Sequence, residues 1–91
     1  MTLTQLRDML AVAEFGSMRA AGRKLGLTQP AITRSIRELE HELGVSLFER
    51  HAKGVRLTET GGVLVRHASA VHREVRRARE KIERLKACAS G

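Results

Sequence analysis

Residues 17–44 read SMRAAGRKLGLTQPAITRSIRELEHELG, and this stretch decides the fold. It opens on Ser17, whose hydroxyl can accept from a free backbone N–H at a helix start. A short helix over 18–25 follows, with Ala20, Ala21 and Leu25 on one side. Gly22 inside it costs about 0.5–1 kcal/mol relative to alanine, so packing must hold it in place. Gly26 supplies a left-handed stop. Thr28 caps the next helix, and Pro30 falls in its first turn, where backbone N–H groups have no intrahelical partner. Ile32, Ile36, Leu39 and Leu43 then stand at i, i+4, i+7 and i+11 on one face, and Gly44 ends the run. Two helices joined by a few residues around Gly26 predict a helix-turn-helix.

Outward from this unit the chain continues as helices and one small hairpin. Residues 3–15 carry Leu3, Leu6, Leu10 and Ala13 at helical spacing with Met9 beside them, and Gly16 stops the run. Residues 45–57 lose that period. Val45 and Leu47, then Val55 and Leu57, alternate with polar residues, which predicts a two-stranded hairpin with its tip near Ala52–Gly54. Thr58 caps a long helix running to about Lys86, with Gly61 and Gly62 weakening its first turn. Within it Leu64, Ala68, Val71, Val75, Ala78, Ile82 and Leu85 step alternately by four and three, a heptad seam held for three repeats. So narrow a stripe on an arginine-flanked helix cannot be buried inside a chain of 91 residues, and it predicts a partner.

Composition narrows the possible partners. Lysine and arginine number 17 against 10 aspartates and glutamates, giving a net charge of +7 and a pI of about 11.1. That balance admits nucleic acid or an anionic membrane surface. No stretch approaches the roughly 18 apolar residues of a membrane span. Arg7, Asp8 and Glu14 break the first apolar run, so it does not read as a signal peptide. With no Trp, no Tyr and two Phe, Phe15 and Phe48, the chain has no aromatic platform for single-stranded bases. A single cysteine, Cys88, excludes an internal disulfide and fits the reducing cytoplasm. His41, His51, His67 and His72 show no metal-ligand spacing, and no glycine-rich loop follows a parallel strand. No enzyme, metal or cofactor is implied.

The ordered string Ser17–Ala20–Ala21, Leu25, Thr28–Gln29–Pro30–Ala31, Ile36, Leu39–Glu40, Leu43–Gly44, Leu47–Phe48–Arg50 and Leu57–Thr58–Gly61 resembles the N-terminal domain of LysR-type transcriptional regulators over about residues 3–65. The resemblance implies a mainly α fold: a winged helix-turn-helix of three helices plus a two-stranded wing, followed by a long dimerising linker helix. The expected division is a DNA-binding domain at 1–57, a linker helix at 58–88 and a tail at 89–91. It further implies a homodimer on double-stranded DNA with antiparallel linker helices. A small-molecule effector would bind only through a C-terminal domain that this chain is expected to lack. Thr33, Gly22 and Lys53 depart from the family's usual Ser, longer residue and Arg at those places.

On this resemblance Gln29, Pro30, Thr33 and Arg34 read base edges from the start of the third helix. Gln can pair with adenine and Arg with guanine, and Pro30 or the Thr33 methyl can touch a thymine methyl. By periodicity alone the same residues are the solvated polar face of an ordinary helix. Arg50, Lys53 and Arg56 flank or form the wing, whose tip cation would lie over the minor groove. Arg50 has a second reading, an ion pair with Glu40 or Glu42. Ser17, Arg19 and Thr28 stand at helix starts that can hold phosphate, and simple capping is compatible with that role. Arg76, Arg77 and Arg79 are interleaved with Glu74, Glu80 and Glu83, which suits a solvated coiled-coil flank better than a DNA surface. The rival to a DNA-reading module is a coiled-coil interaction protein that holds nucleic acid loosely.

Overall fold

Hydroxyl caps and glycine stops set the helix boundaries of the computed structural model, which describes residues 1–90, the last by its backbone only. Helix α1 spans Leu3–Phe15, α2 Met18–Leu25 and α3 Gln29–Leu43; strands β1 (Phe48–His51) and β2 (Gly54–Leu57) follow, then α4, Glu59–Ser90. Ser17 Oγ accepts from the Ala20 N–H at 3.1 Å and Thr28 Oγ1 from that of Ala31 at 3.3 Å. Thr58 Oγ1 accepts from the Gly61 N–H at 3.0 Å. A fourth cap was not anticipated. Thr2 and Gln5 form a reciprocal capping box on α1, each side chain accepting from the other's N–H at 3.0 Å. Gly16, Gly26 and Gly44 close α1, α2 and α3 in the left-handed conformation.

The core gathers Met9 and Val12 of α1, Ala21 of α2, Ile32, Ile36 and Leu39 of α3, Leu47, Phe48, and Ala68 of α4. Two expected core positions lie at the surface. Leu3 and Leu43 close their helical stripes in sequence, but each is exposed at the end of its helix. Met9 and Val12, not Leu3, are the centre of the α1 face. The strands pair antiparallel from Phe48↔Leu57 to His51↔Gly54 around a two-residue turn at Ala52 and Lys53. Val45 is exposed ahead of the hairpin, and Leu47 drops into the core before β1 starts, so the alternation read from residue 45 describes a loop.

Helix α4 runs past Lys86 to Ser90. Cys88 stands exposed on this helix. Of the tail expected at 89–91, Gly91 lies outside the described residues. The seam of α4 is divided. Ala68 is only 1% exposed, and Leu64 packs against the same cluster, so both serve the chain's own core. Val71, Val75, Ile82 and Leu85 are exposed, the last at 69%. The stripe is thus partly buried within one chain, because α1 crosses the first half of α4 and ends before the second.

Candidate nucleic-acid interface

The α2–α3 turn places the site. The Leu27 N–H donates to the Gly22 carbonyl at 2.8 Å, bringing the turn back onto α2. A Cβ at Gly22 would stand 2.7 Å from the Leu27 carbonyl oxygen, so glycine allows this close approach. The first turns of α3 then project outward. Gln29, Pro30 and Arg34 are exposed and Thr33 is half-buried, opposite the core residues Ile32, Ile36 and Leu39.

Two grooves meet along α3. One lies between the start of α2, α3 and β1 and is lined by Ser17, Arg19, Gln29, Thr33, Arg37 and Arg50. The other runs over the outer side of α3 past Pro30, Arg34 and His41. Gln29, Thr33, Arg37 and Arg50 line both. Three of these four stand at i, i+4 and i+8, a single stripe of α3. Arg37 was not among the expected site residues. Its signal was that spacing, hidden because recognition-helix logic favours the N-terminal turns.

The stretch 28–44 has three acids and two arginines, and the acids line the grooves beside the arginines, but each has its own partner within the chain. Glu40 accepts from the Leu47 backbone N–H at 2.7 Å and from Ser46 Oγ at 3.4 Å. Glu42 binds the N-terminal ammonium at 2.6 Å, and Glu38 accepts from Gln5 Nε2 at 3.4 Å. On the wing, Glu49 takes Arg56 Nε at 2.7 Å. The pairing of Arg50 with Glu40 or Glu42 therefore does not occur. Among the described residues Arg19, Arg34, Arg37 and Arg50 have no ion pair, whereas Arg56 has one.

The wing hangs from the α1–α2 turn. The Val55 N–H donates to the Gly16 carbonyl at 3.0 Å, one residue before the Ser17 cap. Gly54 has φ +135°, and a Cβ there would run into that same carbonyl oxygen, so two constraints require glycine. Lys53 is exposed at the tip, its N–H donating to His51 Nδ1 at 3.3 Å. Ser17, Arg19 and Thr28, the α3 stripe and the wing thus stand on one fixed frame. Among the described residues no three His, Cys, Asp or Glu side chains form a metal cluster. Nor is any described helix long and apolar enough to cross a membrane.

Comparison with known proteins agrees with this geometry. The family described as bacterial regulatory helix-turn-helix protein, lysR family, matches residues 3–62. The HTH-type transcriptional regulator TfdS of Cupriavidus pinatubonensis is 42% identical over 91 residues, covering all of this chain and 30% of the relative. The chain thus spans about 30% of the length of that regulator. Among solved structures, the complex of the BenM DNA-binding domain with catB site 1 DNA superposes with a TM-score of 0.90 at 35% identity, covering 100% of this chain and 98% of that one. The complex of the CbnR DNA-binding domain with DNA gives 0.84 at 36%, covering 93% and 98%.

Proposed function

The chain belongs to the LysR family of bacterial helix-turn-helix regulators and carries that family's winged DNA-binding domain, and from this premise we propose that it reads double-stranded DNA as a homodimer, one α3 in the major groove of each half-site. The observation that carries the reading is the α3 stripe with its uncommitted arginines, set in a groove beside the wing. Gln29, Pro30, Thr33 and Arg34 face base edges. Ser17, Arg19, Thr28 and Arg50 hold backbone, Lys53 lies over the minor groove, and Arg56 steadies the wing through Glu49. Residues 1–57 are the reading unit and residues 58–88 the pairing helix.

Pairing uses the exposed part of the α4 seam, Val71, Val75, Ala78, Ile82 and Leu85, in an antiparallel arrangement. Leu64 and Ala68 are occupied within the chain and support that seam from its base. At about 1.5 Å per residue, α4 is long enough to hold two wings a helical turn or more of DNA apart. Such a protein works in the cytoplasm. Its effector response belongs to a C-terminal domain outside these residues.

The test is a binding titration on a duplex that the protein selects from a randomised pool, with a scrambled duplex beside it. Affinity for the selected duplex exceeds that for the scrambled one, and both fall with salt with a slope of several units, about −0.9 per phosphate neutralised. Gln29→Ala relaxes preference at its base pair at a cost of roughly 1–3 kcal/mol. Equal affinity for the two duplexes overturns the proposal.

A further inference from the structure

We propose that Arg37 and Arg50 form a two-sided cradle for one sugar-phosphate strand, the ridge that separates the groove read by α3 from the groove beneath the wing. The inference rests on the DNA reading above and adds a backbone-gripping role for Arg37. In a duplex, the ridge between major and minor groove is a sugar-phosphate backbone. With α3 in one groove and Lys53 over the other, that ridge must pass between α3 and β1. The cleft there carries Arg37 on its helical wall and Arg50 on its strand wall, with Gln29 and Thr33 toward the α3 start.

Three features fit this cleft to phosphate. Neither arginine has an ion pair or hydrogen-bond partner among the described residues, so both guanidinium forks are free for a ligand with paired acceptor oxygens. Glu40 and Glu49 also line the cleft, but Glu40 accepts from the Leu47 amide and Glu49 pairs with Arg56, so neither engages Arg37 or Arg50. Arg37 stands eight residues beyond Gln29, about 12 Å along the helix axis. That places it past the N-terminal turns that reach base edges and alongside the backbone.

The experiment compares the parent, Arg37→Ala, Arg37→Lys and Arg50→Ala on the selected and the scrambled duplex from 50 to 200 mM salt. Because both side chains are exposed, unchanged far-UV CD and unfolding midpoints confirm that the variants fold. Each alanine lowers the salt slope by about 0.9, so its loss of affinity is roughly threefold greater at 50 mM than at 200 mM. The loss is the same factor on both duplexes, and Arg37→Lys restores the slope. If Arg37→Ala leaves the slope unchanged, the cradle is refuted. A changed base preference with Arg37→Ala also refutes it, making Arg37 a base reader. A parent that selects no sequence refutes the DNA reading itself, a separate outcome visible before any variant is made.

Discussion

Helices α3 and α4 carry apolar stripes of similar spacing and use them in opposite ways. Ile32, Ile36 and Leu39 are at most 1% exposed, while Val75 and Ile82 are 41% and 57% exposed. The stripe defines a face; what covers that face depends on where neighbouring elements end. Around α3 the helices α1 and α2 close on both sides. Along α4, the start of α1 lies beside His72, whose Nε2 is 3.3 Å from the Leu3 carbonyl oxygen, and shares a cleft with Val75 and Arg79; beyond that the helix stands out alone. Length and registry between helices, which periodicity does not encode, therefore divide one heptad seam into core and surface.

That division is open to direct attack. Ala68→Asp puts an unpaired charge into the core and is expected to abolish cooperative unfolding or to lower stability by several kcal/mol in a urea titration. Val75→Asp, one heptad onward, is expected to leave the fold intact, with sedimentation showing monomer where the parent shows dimer. Operator affinity falls in step. Should Ala68→Asp dissociate a folded dimer, or Val75→Asp unfold the chain, the boundary between the two halves of α4 has been drawn in the wrong place.

A finer contrast sits at the start of α4. A Cβ on Gly61 would run into the Leu47 carbonyl oxygen and meet the Leu57 side chain at 2.9 Å, while one on Gly62 meets nothing within 4 Å. Gly61→Ala is expected to destabilise by roughly 1–3 kcal/mol, the usual cost of forcing extra volume into a packed site. Gly62→Ala is expected to stabilise by about 0.5–1 kcal/mol through helix propensity. Thermal unfolding of the two variants checks the pair, and shifts of the same sign would show that α4 is not pressed against the Leu47 loop.

The smallest expected effect is at α3. Ser35 Oγ is buried with no hydrogen-bond partner. Ser35→Ala removes a desolvated hydroxyl and is expected to raise stability by up to about 1 kcal/mol. A measured loss of more than that, by denaturant midpoint, would mean that the hydroxyl has a partner in solution.

Features fixed within four residues were legible in the chain. Ser17, Thr28 and Thr58 cap because a hydroxyl finds an amide three positions on, and Gly16, Gly26 and Gly44 stop helices by their own backbone freedom. The outward placing of Gln29, Pro30, Thr33 and Arg34 at the start of α3 was legible for the same reason. What escaped depends on contacts distant in sequence. Arg50 was a candidate partner for Glu40, but Glu40 turns to a backbone amide seven residues away. The exposure of Leu43 depends on where α1 lies, and the role of Arg37 on the hairpin that closes the cleft. Gly22 showed only that something must compensate it, and the compensating group is the carbonyl of Leu27 across the turn.

The hydrogen bond from Val55 to Gly16 fixes more than the angle of the wing. It joins the hairpin to the loop from which α2 starts, and α2 is locked to α3 through Gly22, so the parts proposed to touch DNA behave as one stiff caliper. A caliper of fixed opening cannot adapt to the span it measures. The compliance in such a complex belongs to the duplex, and a sequence that bends or narrows at low cost is favoured even at base pairs that no side chain reaches.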